Sequence, residues 1–124
     1  MKLLSVFLSL ALMLGACCDK KKVTEPAPQN SLIPLPLCLH EKTEEFKKLD
    51  KKYRPANITR YTYKGKTVYY LPPRCCDQMS EVYDEDCNII CRPEGGITGK
   101  GDGKCPDFFT ERKEAKIVWV DEGE

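Results

Sequence analysis

The apolar residues in the first part of the domain recur at helical spacing. Within residues 37 to about 52, Leu39, Phe46 and Leu49 follow one another at intervals of seven and three, in a segment rich in glutamate and lysine. Such intervals place side chains on one face of an α-helix. We therefore predict an amphipathic helix that ends before Pro55, because proline cannot continue a helix.

The next segment, residues 57 to 73, alternates β-branched and aromatic residues around the pair Lys64-Gly65. Alternation of this kind predicts two strands, and a two-residue polar loop between them predicts a β-hairpin. With this loop, the register pairs Tyr63 with Lys66. One face of the hairpin then carries an apolar set, which we expect to pack on the helix: Tyr61, Tyr63, Val68 and Tyr70.

Three shorter apolar runs predict further strands. Residues 82–83 and 88–91 flank an acidic turn, and residues 116–122 ("KIVWVDE") alternate so that Val118 and Val120 share one face. The sum is a small single α+β domain. It consists of one N-terminal helix packed on an antiparallel sheet of four or five strands.

The N-terminal pattern is different, because it predicts processing and not folding. Lys2 precedes an apolar run over residues 3–14 that is too short to span a bilayer and is typical of a signal peptide. Residues 14–17, "LGAC", resemble the bacterial lipobox. We predict a signal peptide at 1–16, lipid attachment to Cys17, a flexible proline-containing tether at 17–36 and the domain at 37–124. An ordinary secreted or single-span protein with a chance cysteine is the alternative.

Lipid attachment would determine the location of the protein. Acyl chains at Cys17 would each contribute roughly 0.8 kcal/mol per buried CH2 and hold the chain on a membrane. We expect a bacterial cell-envelope protein, in the outer membrane. Loss of Lys2 with the signal would leave 19 basic residues against 19 acidic ones, and this balance excludes a nucleic-acid partner.

The cysteine content is typical of an exported, disulfide-stabilised domain. Cys18 follows the lipidation site and would be a free or intermolecular thiol. We expect the adjacent residues at 75 and 76 to pair with different distant cysteines, because a vicinal disulfide closes a strained eight-membered ring. The pairing is otherwise open, among six candidates: Cys38, Cys75, Cys76, Cys87, Cys91 and Cys105.

The segment "GGITGKGDGKCPDF", residues 95–108, holds five of the eight glycines. It lacks the spacing of a phosphate-binding loop, and we interpret it as a loop pinned through Cys91 and Cys105. A calcium site is the alternative, because three nearby side chains occupy positions one, three and five of an EF-like loop. The candidate ligands are Asp84, Asp86, Asn88 and Asp102.

The sequence offers no constellation of catalytic residues. His40 is the only histidine, and no serine or cysteine motif places a nucleophile beside it. A histidine-ligated zinc site is excluded by count. The C-x-x-C spacing of thiol oxidoreductases is also missing, so we expect a protein that is not an enzyme and has no resident cofactor.

The second half of the chain carries a series of specific motifs. The hairpin "YKGKTVYY" leads to "CCD", then to "YDEDCNIICRPEGG" and "GKGDGKCPDF", and finally to "VWVD". This series resembles a family of small bacterial lipoproteins defined as a domain of unknown function, with Val118-Trp119-Val120 where that family has Ile-Trp-Lys. The resemblance covers residues 37–121. It implies that the six cysteines belong to one domain, and it implies no activity.

The sequence therefore predicts a lipid-anchored lipoprotein with a disulfide-stabilised, non-catalytic binding module. We expect the loop at 92–110 and the acidic turn at 84–88 to form its contact surface. A membrane, through the lipid, and another envelope protein are the expected partners, and the oligomeric state is open. The alternatives are a calcium-dependent adhesion or stabilisation module and a protease inhibitor.

Overall fold

The computed structural model describes residues 34 to 123. The predicted signal peptide, Cys17, Cys18 and most of the predicted tether lie outside the described residues. Within residues 34 to 123, no helix has the length and apolar character needed to cross a membrane. The elements in chain order are α1 (Leu37–Phe46), a 3-10 helical turn (Lys51–Tyr53), β1 (Asn57–Tyr63), β2 (Lys66–Leu71), β3 (Glu81–Tyr83), β4 (Ile89–Cys91), α2 (Phe108–Glu111) and β5 (Lys113–Val120).

The five strands form one antiparallel sheet in the order β4-β3-β2-β1-β5. The last strand pairs with the first, so that β5 and β4 are the two edges. This architecture confirms the predicted α+β domain with a helix and an antiparallel sheet.

The first helix is shorter than the predicted one. It ends at Phe46, where the backbone hydrogen bonds change from partners four residues back to partners three residues back, as in Leu49 N–H to Phe46 O at 2.9 Å. The side chain of Asp50 then accepts a hydrogen bond from the Lys52 N–H and caps the 3-10 turn. The tightened turn reverses the chain before Pro55 is reached.

The hairpin of β1 and β2 has the predicted register, with Tyr63 opposite Lys66 and Tyr61 opposite Val68. Its loop residues Lys64 and Gly65 both have positive φ, 49° and 76°. Two consecutive residues of positive φ match the twist of the strands on either side. The alternation of the sequence therefore predicted the pairing correctly.

The prediction that the tyrosine face packs on the first helix is wrong. That face packs on α2, and its cluster is formed by Tyr63, Val68, Tyr70, Val82, Cys91, Cys105 and Phe108. Leu39 of α1 packs on the opposite face, with Ile58, Tyr69, Leu71, Tyr83 and Val118. The physical reason lies in β2, which is buried at all four positions from Val68 to Leu71. A strand that is apolar throughout is covered on both faces.

The last strand departs from the expected alternation. Val118 is buried, but Val120, which was expected on the same face, is 52% exposed. The register between β1 and β5 shifts between Ile58 and Thr59, where Trp119 and Ile117 are their partners. Such a bulge inserts an unpaired residue and redirects the side chains beyond it.

Candidate functional site

The six cysteines of the domain form three disulfides: Cys38–Cys87, Cys75–Cys76 and Cys91–Cys105. The first joins α1 to the turn between β3 and β4. The last closes the glycine-rich loop. Both connect distant segments of the chain and so restrict the unfolded state.

The pairing of Cys75 with Cys76 corrects the expectation that each has a distant partner. The two residues lie in the connection between β2 and β3, outside any regular element. Cys76 has a φ of 67°, a conformation uncommon for a residue other than glycine. The irregular connection adopts this backbone without breaking a helix or a ladder of strand hydrogen bonds.

The glycine-rich loop is packed closely against its neighbouring backbone. A Cβ at Gly95 would lie 2.1 Å from the Gln78 carbonyl oxygen, and one at Gly101 would lie 1.8 Å from the Arg92 carbonyl oxygen. Both glycines have positive φ. Close approach and positive φ together require glycine. These contacts support the interpretation of a pinned backbone loop.

The predicted calcium ligands hold turns, and only the Asp84 and Asn88 side chains contact each other. Asp84 accepts hydrogen bonds from the backbone N–H groups of Asp86 and Asn88 and from Asn88 Nδ2, at 2.8 to 3.0 Å. The Asn88 side chain and backbone lower the pKa of the Asp84 carboxyl. Asp102 accepts from the Lys104 N–H at 3.0 Å. Among residues 34 to 123, no three histidine, cysteine or acidic side chains are grouped so that they could hold a metal ion.

The loop does not favour the protease-inhibitor alternative. Ile97 and Thr98 occupy the centre of a tight turn that is closed by a hydrogen bond from Gly99 N–H to Gly96 O at 3.1 Å. Peptides that pair with an exposed sheet edge do so in extended conformation. Ile97, the most exposed apolar side chain of the loop, lies in a turn and not in such an extended segment.

An apolar groove lies between the end of α1 and the connection from β2 to β3, and we call it the proline groove. It has a volume of about 350 Å³. Its lining is formed by Phe46, Tyr53, Pro55, Leu71, Pro72, Pro73, Gln78, Met79, Glu81 and Arg92. Tyr53 and Met79 are 47% and 42% exposed. The two charged residues of the lining pair with each other, with Arg92 Nη2 3.6 Å from Glu81 Oε1.

Residues 44–121 match the family model described as Domain of unknown function (DUF6970). The chain belongs to this family. The predicted resemblance to a domain of unknown function is thereby confirmed, whereas the lipoprotein character of the family stays a prediction. No curated protein and no solved structure matches the chain.

The DUF6970 domain also contains an aromatic cluster that its sequence did not reveal as a unit. The guanidinium carbon of Arg112 lies 4.7 Å from the ring centroids of both Tyr61 and Phe109. The Tyr70 hydroxyl donates a hydrogen bond to Glu94, and burial, followed by this bond, raises the pKa of Tyr70. Because Arg112 already occupies the aromatic faces, this cluster stabilises the fold and is not open to an external cation.

A second cleft of the DUF6970 domain, about 490 Å³ in volume, runs along the end of β5. The Asp121 side chain is buried beside it and pairs with Arg54 Nη1 at 3.3 Å and Arg74 Nη2 at 3.1 Å. These pairs join the 3-10 turn, the cysteine-pair segment and the end of the sheet. The two buried charged groups of the cleft, Arg54 and Asp121, are thus paired with each other. We therefore consider the proline groove the better candidate for a ligand.

Proposed function

We propose that the chain is a lipid-anchored protein of the bacterial cell envelope whose DUF6970 domain binds another envelope protein without catalysis. The proline groove carries this proposal. We propose that its ligand is an uncharged polypeptide segment with apolar side chains.

The chemistry of the proline groove favours such a ligand. Seven of its ten lining residues are aromatic residues, leucine, proline or methionine, and aromatic residues and methionine are enriched at the centres of protein interfaces. The ion pair of Arg92 and Glu81 leaves no unpaired charge to attract a charged ligand. A volume of about 350 Å³ is small for a ligand site and suits a few side chains.

The proline groove is continuous with the glycine-rich loop through Met79. A Cβ at Gly96 would lie 2.8 Å from Met79 Cε, so the methionine side chain rests on the loop backbone. The adjacent Ile97 is 94% exposed. The predicted contact loop and the proline groove therefore form one surface. The Cys91–Cys105 disulfide pre-organises it, which lowers the entropy lost on binding.

The absence of catalysis is supported by the surroundings of the candidate groups. His40 is exposed on α1. The Ser80 side chain is buried and hydrogen-bonded to the backbone of Glu94, at 3.1 and 3.2 Å. All six cysteines between residues 34 and 123 are in disulfides. None of these groups is a free nucleophile beside a base.

The lipid anchor is proposed from the "LGAC" motif alone. Mass spectrometry of the chain purified from bacterial membranes should find acyl chains on Cys17 at the N-terminus. A Cys17→Ser chain should be recovered unlipidated and released from the membrane. An unmodified Cys17 in the wild-type chain would contradict the anchor and leave the binding proposal to be judged separately.

The binding proposal is tested by photo-crosslinking of the full chain in the envelope of a bacterial host that carries the DUF6970 gene. Benzoylphenylalanine is introduced at Tyr53 or Met79, and the crosslinked peptides are identified by mass spectrometry. We expect both positions to crosslink to the same apolar segment of one polypeptide. The matched controls are Ile117 and Val120, which are exposed to a similar extent, 54% and 52%, on β5.

A second variant distinguishes a specific contact from general stickiness. Met79→Lys places a charge in the proline groove and should lower the crosslinking yield from position 53 by at least about tenfold, as expected for a central interface residue. Equal yields from the control positions, or no effect of Met79→Lys, would refute the proline groove as the contact surface.

A further inference from the structure

We propose that the Cys75–Cys76 disulfide is a thiol–disulfide exchange site, which a dithiol reductant opens while the other two disulfides stay intact. The proposal concerns reactivity of the domain itself and does not depend on the proposed binding function.

The three disulfides differ in their access to solvent. Cys91 and Cys105 are 1% and 4% exposed. Cys38 and Cys87 are half-buried, and Cys87 packs against the cluster beneath α1. Cys76, in contrast, is exposed. Exchange requires a thiolate to reach a sulfur atom, so exposure selects this disulfide for attack.

The adjacent pair also differs in what it contributes to the fold. A disulfide stabilises mainly by closing a loop in the unfolded chain, and the contribution grows with the length of that loop. The separations are 49 residues for Cys38–Cys87 and 14 for Cys91–Cys105, but only 1 for Cys75–Cys76. The adjacent bond thus holds no two parts of the molecule together. Its opening costs the fold little, and it relieves the constraint that holds Cys76 at positive φ.

The geometry assigns different roles to the two sulfur atoms. Cys75 is half-buried as a residue, and its Sγ lies 3.2 Å from the carbonyl oxygen of Lys52. Arg74 fixes the same segment to the 3-10 turn, with Nη1 3.3 Å from the Lys51 carbonyl oxygen. The Cys75 sulfur is therefore held beside an acceptor that a thiol can use, and Cys76 is the more exposed residue of the pair.

The exchange proceeds in two balanced steps. The thiolate of a dithiol attacks Cys76 Sγ, a mixed disulfide forms, and the bond to Cys75 Sγ breaks. The released Cys75 thiolate takes a proton from solvent and can donate a hydrogen bond to the Lys52 carbonyl. The second thiol of the reductant, as thiolate, then attacks its own sulfur in the mixed disulfide and releases the Cys76 thiolate, which is protonated. Two electrons have passed from the dithiol, which becomes a disulfide, to the cysteine pair.

The site adjoins the proline groove at two points. Pro73 lies two residues before Cys75, and Gln78 lies two residues after Cys76, and both line the groove. Reduction frees the backbone between these two wall residues. Opening the Cys75–Cys76 disulfide therefore changes the conformational freedom of the connection between β2 and β3, which forms one wall of the proline groove.

The test uses the full oxidised chain in detergent and a series of dithiothreitol concentrations. Samples are quenched in acid, alkylated with N-ethylmaleimide in denaturant and mapped by mass spectrometry. We expect Cys75 and Cys76 to be half alkylated at a dithiothreitol concentration at least about tenfold below that for either other pair. Reduction of Cys38–Cys87 or Cys91–Cys105 in the same range, or earlier, would overturn the proposal.

Single variants test the assignment of the two sulfurs. With oxidised glutathione, Cys75→Ser, which keeps the exposed thiol, should form its mixed disulfide about tenfold faster than Cys76→Ser, which keeps the half-buried one. Equal rates, or the reverse order, would refute the roles given to Cys75 and Cys76. Circular dichroism of both variants establishes that they fold alike, and if they do not, the reduction series on the unaltered chain decides the proposal.

Discussion

The two faces of the sheet are covered by different means. On one face, α1 packs Leu39 on Ile58 and the residues around it. On the other, the glycine-rich loop and the single turn of α2 place Phe108 on the tyrosines of the hairpin. Each cover is joined to the β3–β4 hairpin by one disulfide, Cys38–Cys87 for the helix and Cys91–Cys105 for the loop.

The difference shows what each kind of cover requires of the sequence. A helix satisfies its own backbone hydrogen bonds, so α1 needs only a stripe of side chains such as Leu39 and Thr43, both buried. A loop has to satisfy its backbone through turns and contacts with other segments. The loop does so with bonds such as Asp102 N–H to Arg92 O at 2.8 Å. Glycine concentrates in the second cover for this reason.

The largest expected effect concerns the side chain at the centre of the loop-covered face. Phe108 is fully buried, with its ring centroid 5.3 to 5.9 Å from those of Tyr61, Tyr63 and Tyr70. Phe108→Ala should lower the free energy of unfolding by about 3 to 5 kcal/mol, measured by urea denaturation of the oxidised chain. Phe109→Ala, at a position 40% exposed, is the control and should have a much smaller effect. Equal losses of unfolding free energy in the two variants would contradict the central position of Phe108 on this face.

The two long-range disulfides test which cover depends more on its crosslink. The longer loop closed by Cys38–Cys87 predicts a loss of about 4 kcal/mol when both residues become serine, against about 3 kcal/mol for Cys91 and Cys105. Urea denaturation of the two double variants measures both values. A larger loss for the shorter loop would show that native contacts of the glycine-rich cover, and not chain entropy, determine the order.

A pair of glycine substitutions isolates the role of close packing in the loop. Gly99 and Gly101 have similar φ, 71° and 64°. A Cβ meets nothing within 4 Å at Gly99, but lies 1.8 Å from the Arg92 carbonyl oxygen at Gly101. Gly99→Ala should cost about 1 to 2 kcal/mol from backbone conformation alone. Gly101→Ala should cost more, because the loop must also move off Arg92, and equal melting temperatures would contradict that contact.

Local patterns predicted the elements of the fold well. The hairpin register followed from alternation about Lys64-Gly65, and the short strands from apolar runs beside an acidic turn. The face on which the helix packs did not follow, because β2 is apolar on both sides and either side could receive Leu39. The bulge between Ile58 and Thr59 was equally invisible, because register shifts depend on the partner strand.

The candidate sites could be predicted only in part. The loop pinned by Cys91 and Cys105 was evident from glycine and cysteine content. The proline groove was missed because its walls come from separate segments, such as Phe46, Pro72 and Arg92, that share no motif. Ring strain argued against the vicinal pair, but the irregular connection between β2 and β3 allows Cys76 the positive φ at which the pair is found. The "PP" before "CC" was the available signal that this connection is not a strand.

The smallest expected effect is the pH dependence of the loop cover. Asp107 accepts hydrogen bonds from the Tyr63 hydroxyl at 2.6 Å and from Lys64 Nζ at 2.9 Å, and these bonds hold the pKa of its carboxyl below the ordinary 3.8. A carboxyl with a lowered folded-state pKa stabilises the fold above its unfolded pKa, and this stabilisation is lost as the pH falls through the folded value. Melting temperatures between pH 7 and pH 2 should therefore fall less steeply below about pH 4 in Asp107→Asn than in the wild-type chain. The matched change on the helix cover is Glu44→Gln, which removes a carboxyl whose pKa is lowered by its hydrogen bond to Lys47. The Glu44–Lys47 pair is local to one helix and its last turn, and it joins no two elements. Glu44→Gln should therefore change the fall in melting temperature below about pH 4 less than Asp107→Asn does. A larger change in Glu44→Gln would show that Asp107 does not link α2 to the hairpin.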